Sequence, residues 1–245
     1  MAANSAPRKS TLSRDKIVSA AYKLAKKDPL NALSMRKIAT VLKVTPMAIY
    51  KYFADKNELT AAVIDKQMME SRLIPEEIDP KNWKQWIRTS FLRMWDGYAS
   101  APNMIQYMTH ATSFGPAVLS WQNETLGVLI NAGLTPKQAL TSHAAMSELA
   151  TGSNILIPVR EQGVEKVFPS IWDAIKTGKV PTQEDMTNVH STVQDYPWLV
   201  MCGQAMMEDM QDSRRAFENE LEMMLDSIAN QIAQNKKQAR QTKKS

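Results

Sequence analysis

Between Thr45 and Tyr52 the chain reads T-P-M-A-I-Y-K-Y. With Ile49 and Phe53 turned inward, Thr45, Pro46, Met47, Ala48, Tyr50, Lys51 and Tyr52 face outward. A solvated helix seldom shows a Tyr-Lys-Tyr run beside a methionine unless it meets a surface. These side chains offer hydrogen bonding, a cation and apolar contact, which is the chemistry of recognition. Bond-making chemistry lacks its parts. No G-x-G-x-x-G, G-x-x-x-x-G-K-[ST] or G-x-S-x-G occurs. The three histidines, His110, His143 and His190, form no H-x-x-x-H or H-E-x-x-H pair, so neither a metal site nor a cofactor is expected. The chain reads as a non-enzyme.

The elements around that run are short helices. Ser34 caps the first through its hydroxyl. Ile38, Ala39 and Leu42 share one apolar face at three- and four-residue steps, and Ala39 is small where the next helix crosses. Lys43-Val44 makes the turn. Thr45 caps the second helix and Pro46 takes its first position, where a missing N–H costs nothing. Asp55 and Glu58, a D-x-x-E variant of the capping box, start a third. This is a helix-turn-helix, whose second helix enters the DNA major groove while the first crosses the backbone.

The segments S-M-R-K-I-A, V-T-P-M-A-I-Y-K-Y-F and K-N-E-L resemble the N-terminal DNA-binding domain of the TetR family of bacterial transcription regulators. The match is strong through Val63; beyond it, length and helical character carry the resemblance. Three positions depart from the family pattern. Lys43 stands where a turn glycine is common, which predicts positive φ on a non-glycine residue. The Asp28-Pro29 region replaces a glycine, and Tyr52 replaces a frequent histidine. The resemblance implies an all-α fold, with an N-terminal three-helix DNA-binding domain and a larger helical C-terminal ligand-binding and dimerisation domain. It implies that Arg36 approaches a base edge or phosphate. It places Thr45, Pro46, Met47 and Ala48 in the groove, the apolar ones against thymine methyls. Tyr50, Lys51 and Tyr52 go to phosphates or base edges, and Lys56 to a phosphate. The implied partner is a palindromic double-stranded operator, read by a homodimer at half-sites ~34 Å apart or a multiple of that.

Charge supports this without any motif. Residues 1–60 carry 12 Lys+Arg against 4 Asp+Glu, residues 61–235 carry 13 against 21, and residues 236–245 carry 5 against none. A basic head on an acidic body suits phosphate binding at one end. Glycine is scarce, at 8 of 245 residues, which argues against β-rich and nucleotide-loop folds. Cys202 is the only cysteine, so an intrachain disulfide is excluded and a reducing cytoplasm fits. The N-terminus has no apolar h-region, and no apolar run approaches the ~20 residues of a membrane helix. A soluble, cytoplasmic protein is expected.

The expected organisation is a basic arm at 1–12, the DNA-binding domain at 13–60, the ligand-binding and dimerisation domain at 61–235, and a basic tail at 236–245. Ile17, Ala21 and Leu24 stripe a first helix that ends at Asp28-Pro29. A helix from Lys56 runs to about Leu73. Further helices are expected at 81–100, from Pro102, from Gly115-Pro116 to Gly133, and from Thr135-Pro136 to about Ile157. Residues 158–196, with four prolines nearby, read as irregular apart from a short helix around Ile171 to Lys176. Pro197 to Met207 reads as helical, and a last helix spans Glu208 to Gln234.

Large side chains on successive helices, Trp95, Tyr98, Met104, Met108 and Trp121, with His110 as a polar group, suit an apolar pocket for a small-molecule effector. The same pattern fits an ordinary core. Phe217, Leu221, Leu225 and Ile228 make a stripe that suits an intersubunit four-helix bundle, and a single-chain core would show it too. The reading is a sequence-specific regulator, a repressor released from its operator by a largely apolar ligand. The alternative is a helix-turn-helix protein that recruits a protein partner and has no inducer.

Overall fold

Most of the capping signals become helix ends in the computed structural model of the chain, which describes residues 12–27, 33–109, 111 and 113–242. The described residues form twelve helices and no strand. They are α1 (Arg14–Lys27), α2 (Met35–Leu42), α3 (Pro46–Tyr50), α4 (Lys56–Glu70), α5 (Trp83–Ala99), α6 (Asn103–Thr109), α7 (Pro116–Ala132), α8 (Pro136–Val167), α9 (Pro169–Thr177), α10 (Gln183–Val193), α11 (Pro197–Gln211) and α12 (Ser213–Thr242). Two compact units result: residues 1–70 with 101–120, and residues 71–100 with 121–245. Residues 1–11 of the expected arm, the Asp28-Pro29 stop and His110 lie outside the described residues.

In the first unit, α1 packs against α2, α4 and α6. Its buried stripe is Ile17, Ala21, Tyr22 and Ala25; Leu24, expected in that stripe, is half-buried. The Tyr22 hydroxyl donates to Gln67 Oε1 at 2.7 Å, so this buried phenol is satisfied on α4. The fourth helix stops at Glu70, three residues before the expected Leu73. Asp65 on α4 accepts the backbone N–H groups of Ala117 at 3.2 Å and Val118 at 3.3 Å, the first turn of α7. Those N–H groups have no partner within their own helix. Gly115 makes the approach possible, because a Cβ there would overlap the Asp65 carboxylate.

The second unit is built on α5, α8 and α12. Trp86, Ile87, Phe91, Met94, Trp95 and Tyr98 give α5 a continuous buried face. It meets Ala139, His143, Met146 and Ala150 of α8 and the stripe of α12. Trp95 stacks on Phe217 with ring centroids 5.9 Å apart. Ion pairs run along the α5–α12 border: Lys84 with Asp226, Arg88 with Glu222, and Arg214 with Asp96.

Three expectations change here. The eighth helix runs through Pro158 to Val167 instead of ending at Ile157. Proline removes one interior hydrogen bond, and packing on both sides holds the helix across it: Ala150 and Asn154 are buried before it, and Val164 packs on Ile171, Trp172 and Ile175 after it. The short helix expected around Ile171 to Lys176 is α9, and the remainder of that segment, expected to be irregular, holds α10, because Pro169 and Gly178 act as caps. Pro169 opens α9, Gly178 closes it at φ 67°, and Thr182 and Asp185 form a reciprocal capping box for α10. The last two helices divide at Asp212, whose carboxylate accepts the Arg215 N–H at 2.9 Å, and α12 continues to Thr242 through most of the expected tail.

The Asp65 cap makes a prediction. Gly115→Ala lowers stability by about 1–2 kcal/mol, the usual worth of a helix cap, and Asp65→Ala does the same. In a double-mutant cycle followed by urea denaturation the two effects overlap instead of adding. Additive losses show that the two residues act independently.

Candidate nucleic-acid interface

The candidate interface is built on a turn and one short helix. Ser34 Oγ accepts the Lys37 N–H at 3.1 Å and starts α2. Lys43 ends it in the left-handed region, at φ 55° and ψ 43°, as the missing turn glycine predicts. Its N–H and that of Val44 return to the carbonyls of Thr40 and Ala39. The strain at Lys43 is modest, and it aims the chain into α3. There Pro46 sits at the first helical position, but the Thr45 side chain makes no cap hydrogen bond and is exposed.

Only Ile49 of α3 is buried. Pro46, Met47 and Tyr50 lie three and four apart and share the opposite face. Met47 is 70% exposed and Tyr50 47%, while Ala48 is half-buried. The helix ends at Tyr50, so Lys51 and Tyr52 stand beyond it. Both are exposed, but the Tyr52 hydroxyl donates to the Leu12 carbonyl at 2.8 Å. Arg36 on α2 and Lys56 at the start of α4 are exposed too. Arg36, Lys51 and Lys56 form no ion pair with a described residue. The surface therefore offers an apolar and phenolic ridge with uncompensated cations around it.

One residue holds this ridge that sequence reasoning missed. Arg14 on α1 donates to the Tyr52 carbonyl at 2.7 Å and to Glu58 at 2.9 Å, and its guanidinium lies 4.1 Å from the centroid of the Phe53 ring. Glu58 also accepts the Ala54 N–H at 2.7 Å, and the Glu58 N–H goes to Asp55 at 2.8 Å. The expected capping box is thus present with one partner displaced to Ala54. The Ala54 N–H first, and then Arg14, holds the Glu58 carboxyl below its ordinary range. No local pattern marks Arg14, since its partners are 38 and 44 residues away.

The residues expected to bind a ligand divide between the units. Met104 is buried and Met108 half-buried in the first. Trp95, Tyr98 and Trp121 are buried in the second. The two tryptophan N–H groups are already used: Trp95 donates to Ser153 at 3.0 Å and Trp121 to Ser90 at 2.8 Å. Among the described residues, buried His143 Nδ1 has no hydrogen-bond partner, while the buried Tyr98 hydroxyl has the Thr151 side chain beside it. Burial raises the Tyr98 phenol above its ordinary pKa and pushes His143 down, keeping both neutral. The His143 ring lies 4.9 Å from that of Trp121 and 6.1 Å from that of Phe91. The four residues expected at the dimer interface are also accounted for. Phe217, Leu221, Leu225 and Ile228 are buried within the chain's own core.

Residues 17–63 match the model of the bacterial regulatory proteins of the tetR family, and residues 79–232 match that of the tetracyclin repressor-like C-terminal domain. The HTH-type transcriptional repressor DrrR1 of Streptomyces coeruleorubidus is 25% identical over 134 residues, 55% of this chain and 49% of that protein. An HTH-type transcriptional regulator of Saccharopolyspora erythraea is 29% identical over 145 residues, 59% of this chain and 61% of its own. The chain thus spans about half to three fifths of the curated relatives it matches. Among solved structures, apo ActR of Streptomyces coelicolor superposes with a TM-score of 0.68 at 20% identity, covering 91% of this chain and 99% of that one. ActR in complex with actinorhodin gives 0.68 at 20% identity, covering 90% and 96%. At that identity the likeness is one of fold, but the family matches together span both units: the chain belongs to the TetR family of bacterial regulatory proteins.

Proposed function

We propose that this protein is a sequence-specific transcriptional regulator, a repressor that leaves a palindromic operator when a small, largely apolar ligand binds. The observation that carries the reading is the ridge of Met47 and Tyr50, exposed beside half-buried Pro46 on a short helix whose single buried residue is Ile49. A helix of that size fits a major groove, where apolar groups meet thymine methyls and phenols meet base edges or phosphates. Thr45, Ala48, Lys51 and Arg36 flank it, and Lys56 presents both its ammonium and a helix start to a phosphate. Tyr52 serves differently from the sequence expectation: its hydroxyl is engaged by Leu12, so it fixes the chain before α1 beside the ridge.

Effector binding is supported by the unpartnered His143 Nδ1 in the second unit, with the Tyr98 hydroxyl, which has Thr151 beside it, as a second buried polar group. A buried polar group without a partner costs about 1–3 kcal/mol, and a ligand that supplies one recovers that cost. Tyr98 and His143 are therefore the proposed polar contacts, with Trp121 and Trp95 as walls. The solved complex of ActR with actinorhodin shows one protein of this fold holding a small molecule. Release follows only if the ligand prefers the conformation that does not fit the operator. The alternative, recruitment of a protein partner without an inducer, draws on the satisfied tryptophan N–H groups. A compound screen by thermal shift, with hits tested for DNA release, separates the two.

The direct test of the main reading is selection of genomic fragments by the purified protein. One recovered palindrome supports it; unrelated fragments refute sequence specificity. On the recovered site, Tyr50→Ala abolishes binding in a gel shift and leaves the oligomeric state unchanged. Wild-type affinity in that variant removes Tyr50 from the interface. Lys56→Ala weakens binding about equally on all sequences and lowers the slope of log K against log salt by ~1; a loss confined to one base position contradicts the phosphate role.

A further inference from the structure

Between α1 and α2 the first unit leaves an open groove of about 510 Å³. Lys16, Ala20, Lys23 and Lys27 recur along α1 at steps of three and four, so they share one face. That face is ~17 Å long, at 1.5 Å per residue. Leu24 lies beside it, and Val41 and Leu42 line the groove from α2. The floor is apolar and, among the described residues, uncovered. Val41 is 54% exposed, and Leu24 and Leu42 are half-buried. The lining is basic: three lysines stand against one acidic residue, Asp15. Lys23 and Lys27 are exposed and form no ion pair with a described residue. An apolar floor with a cationic rim serves neither the cap of α2 nor the outward ridge of α3.

We propose that this groove docks a partner protein through a short, acidic, amphipathic helix. The site is separate from the ridge of α3, so it stands whether or not that ridge reads an operator. Charge complementarity selects the occupant. Leucine-sized side chains on one face of a helix fit a floor of Ala20, Leu24, Val41 and Leu42, in the helix-in-groove mode. Glutamates flanking that face meet Lys23 and Lys27. A helix of about 11 residues matches the length of the α1 face. A DNA backbone fits less well. Phosphates take hydrogen bonds and charge, and an exposed valine between two leucines supplies neither. Val41 and Leu42 directly precede the left-handed Lys43. A docked helix therefore sits beside the turn that aims α3.

The test uses two fluorescein-labelled peptides of about 12 residues, a length set by the groove. The acidic probe has leucines at i, i+3, i+4 and i+7 with glutamates flanking them. The basic probe has lysine in place of each glutamate. Fluorescence anisotropy follows both against the full-length protein. The acidic probe binds the wild type, and its affinity falls about tenfold or more in Lys23→Glu, Lys27→Glu and in Val41→Asp. The basic probe does not bind the wild type and binds the double lysine variant. Circular dichroism checks that each variant keeps its helix content; if Val41→Asp misfolds, Val41→Ser replaces it with the same expected direction. A wild type that does not bind the acidic probe overturns the proposal. Binding that the Val41 substitution leaves intact also overturns it, because the contact is then charge alone. On duplex DNA, Lys23→Ala, Lys27→Ala keeps the wild-type slope of log K against log salt. A slope lowered by ~2 assigns this face to phosphates and overturns protein docking. Peptide binding is measured without DNA, so failure of the operator reading is seen separately in the gel shift.

Discussion

A five-residue helix has no stability of its own. Helix nucleation is unfavourable, and isolated helices shorter than ~12–15 residues are marginal in water. Yet α3, with five residues and one buried side chain, carries the outward ridge. Its orientation must come from its neighbours. Ile49 and Phe53 anchor it from below, at 0% and 1% exposure. The left-handed Lys43 sets the direction in which it leaves α2. Arg14 closes the other end by holding the Tyr52 carbonyl, the Phe53 face and Glu58 together. Each contact of Arg14 is worth little alone, since exposed ion pairs contribute ~0–1 kcal/mol. Their joint effect is positional: one guanidinium fixes the chain on both sides of the end of α3.

The second unit solves a different problem. Its helices are long enough to pack by their own stripes, and α5, α8 and α12 bury theirs on one another. Aromatic residues supply most of the bulk, and their N–H groups find serine hydroxyls within the core. Against that background His143 Nδ1 stands out, buried with no partner among the described residues, while the Tyr98 hydroxyl has Thr151 beside it.

The helix-turn-helix is legible in the sequence because its signals are local. Ser34 reaches three residues ahead to Lys37, Pro46 opens its own helix, and Lys43 takes positive φ because no glycine stands there. The segment after Pro158 is harder to read for a physical reason. Proline and glycine mark the ends of helices as readily as their absence, and only the spacing of Pro169, Gly178 and the Thr182–Asp185 box shows which. Arg14 leaves no trace, because its partners are brought close only by the folded unit. The stripe of α12 is legible as a stripe, but periodicity reports that a face is buried and not which chain buries it.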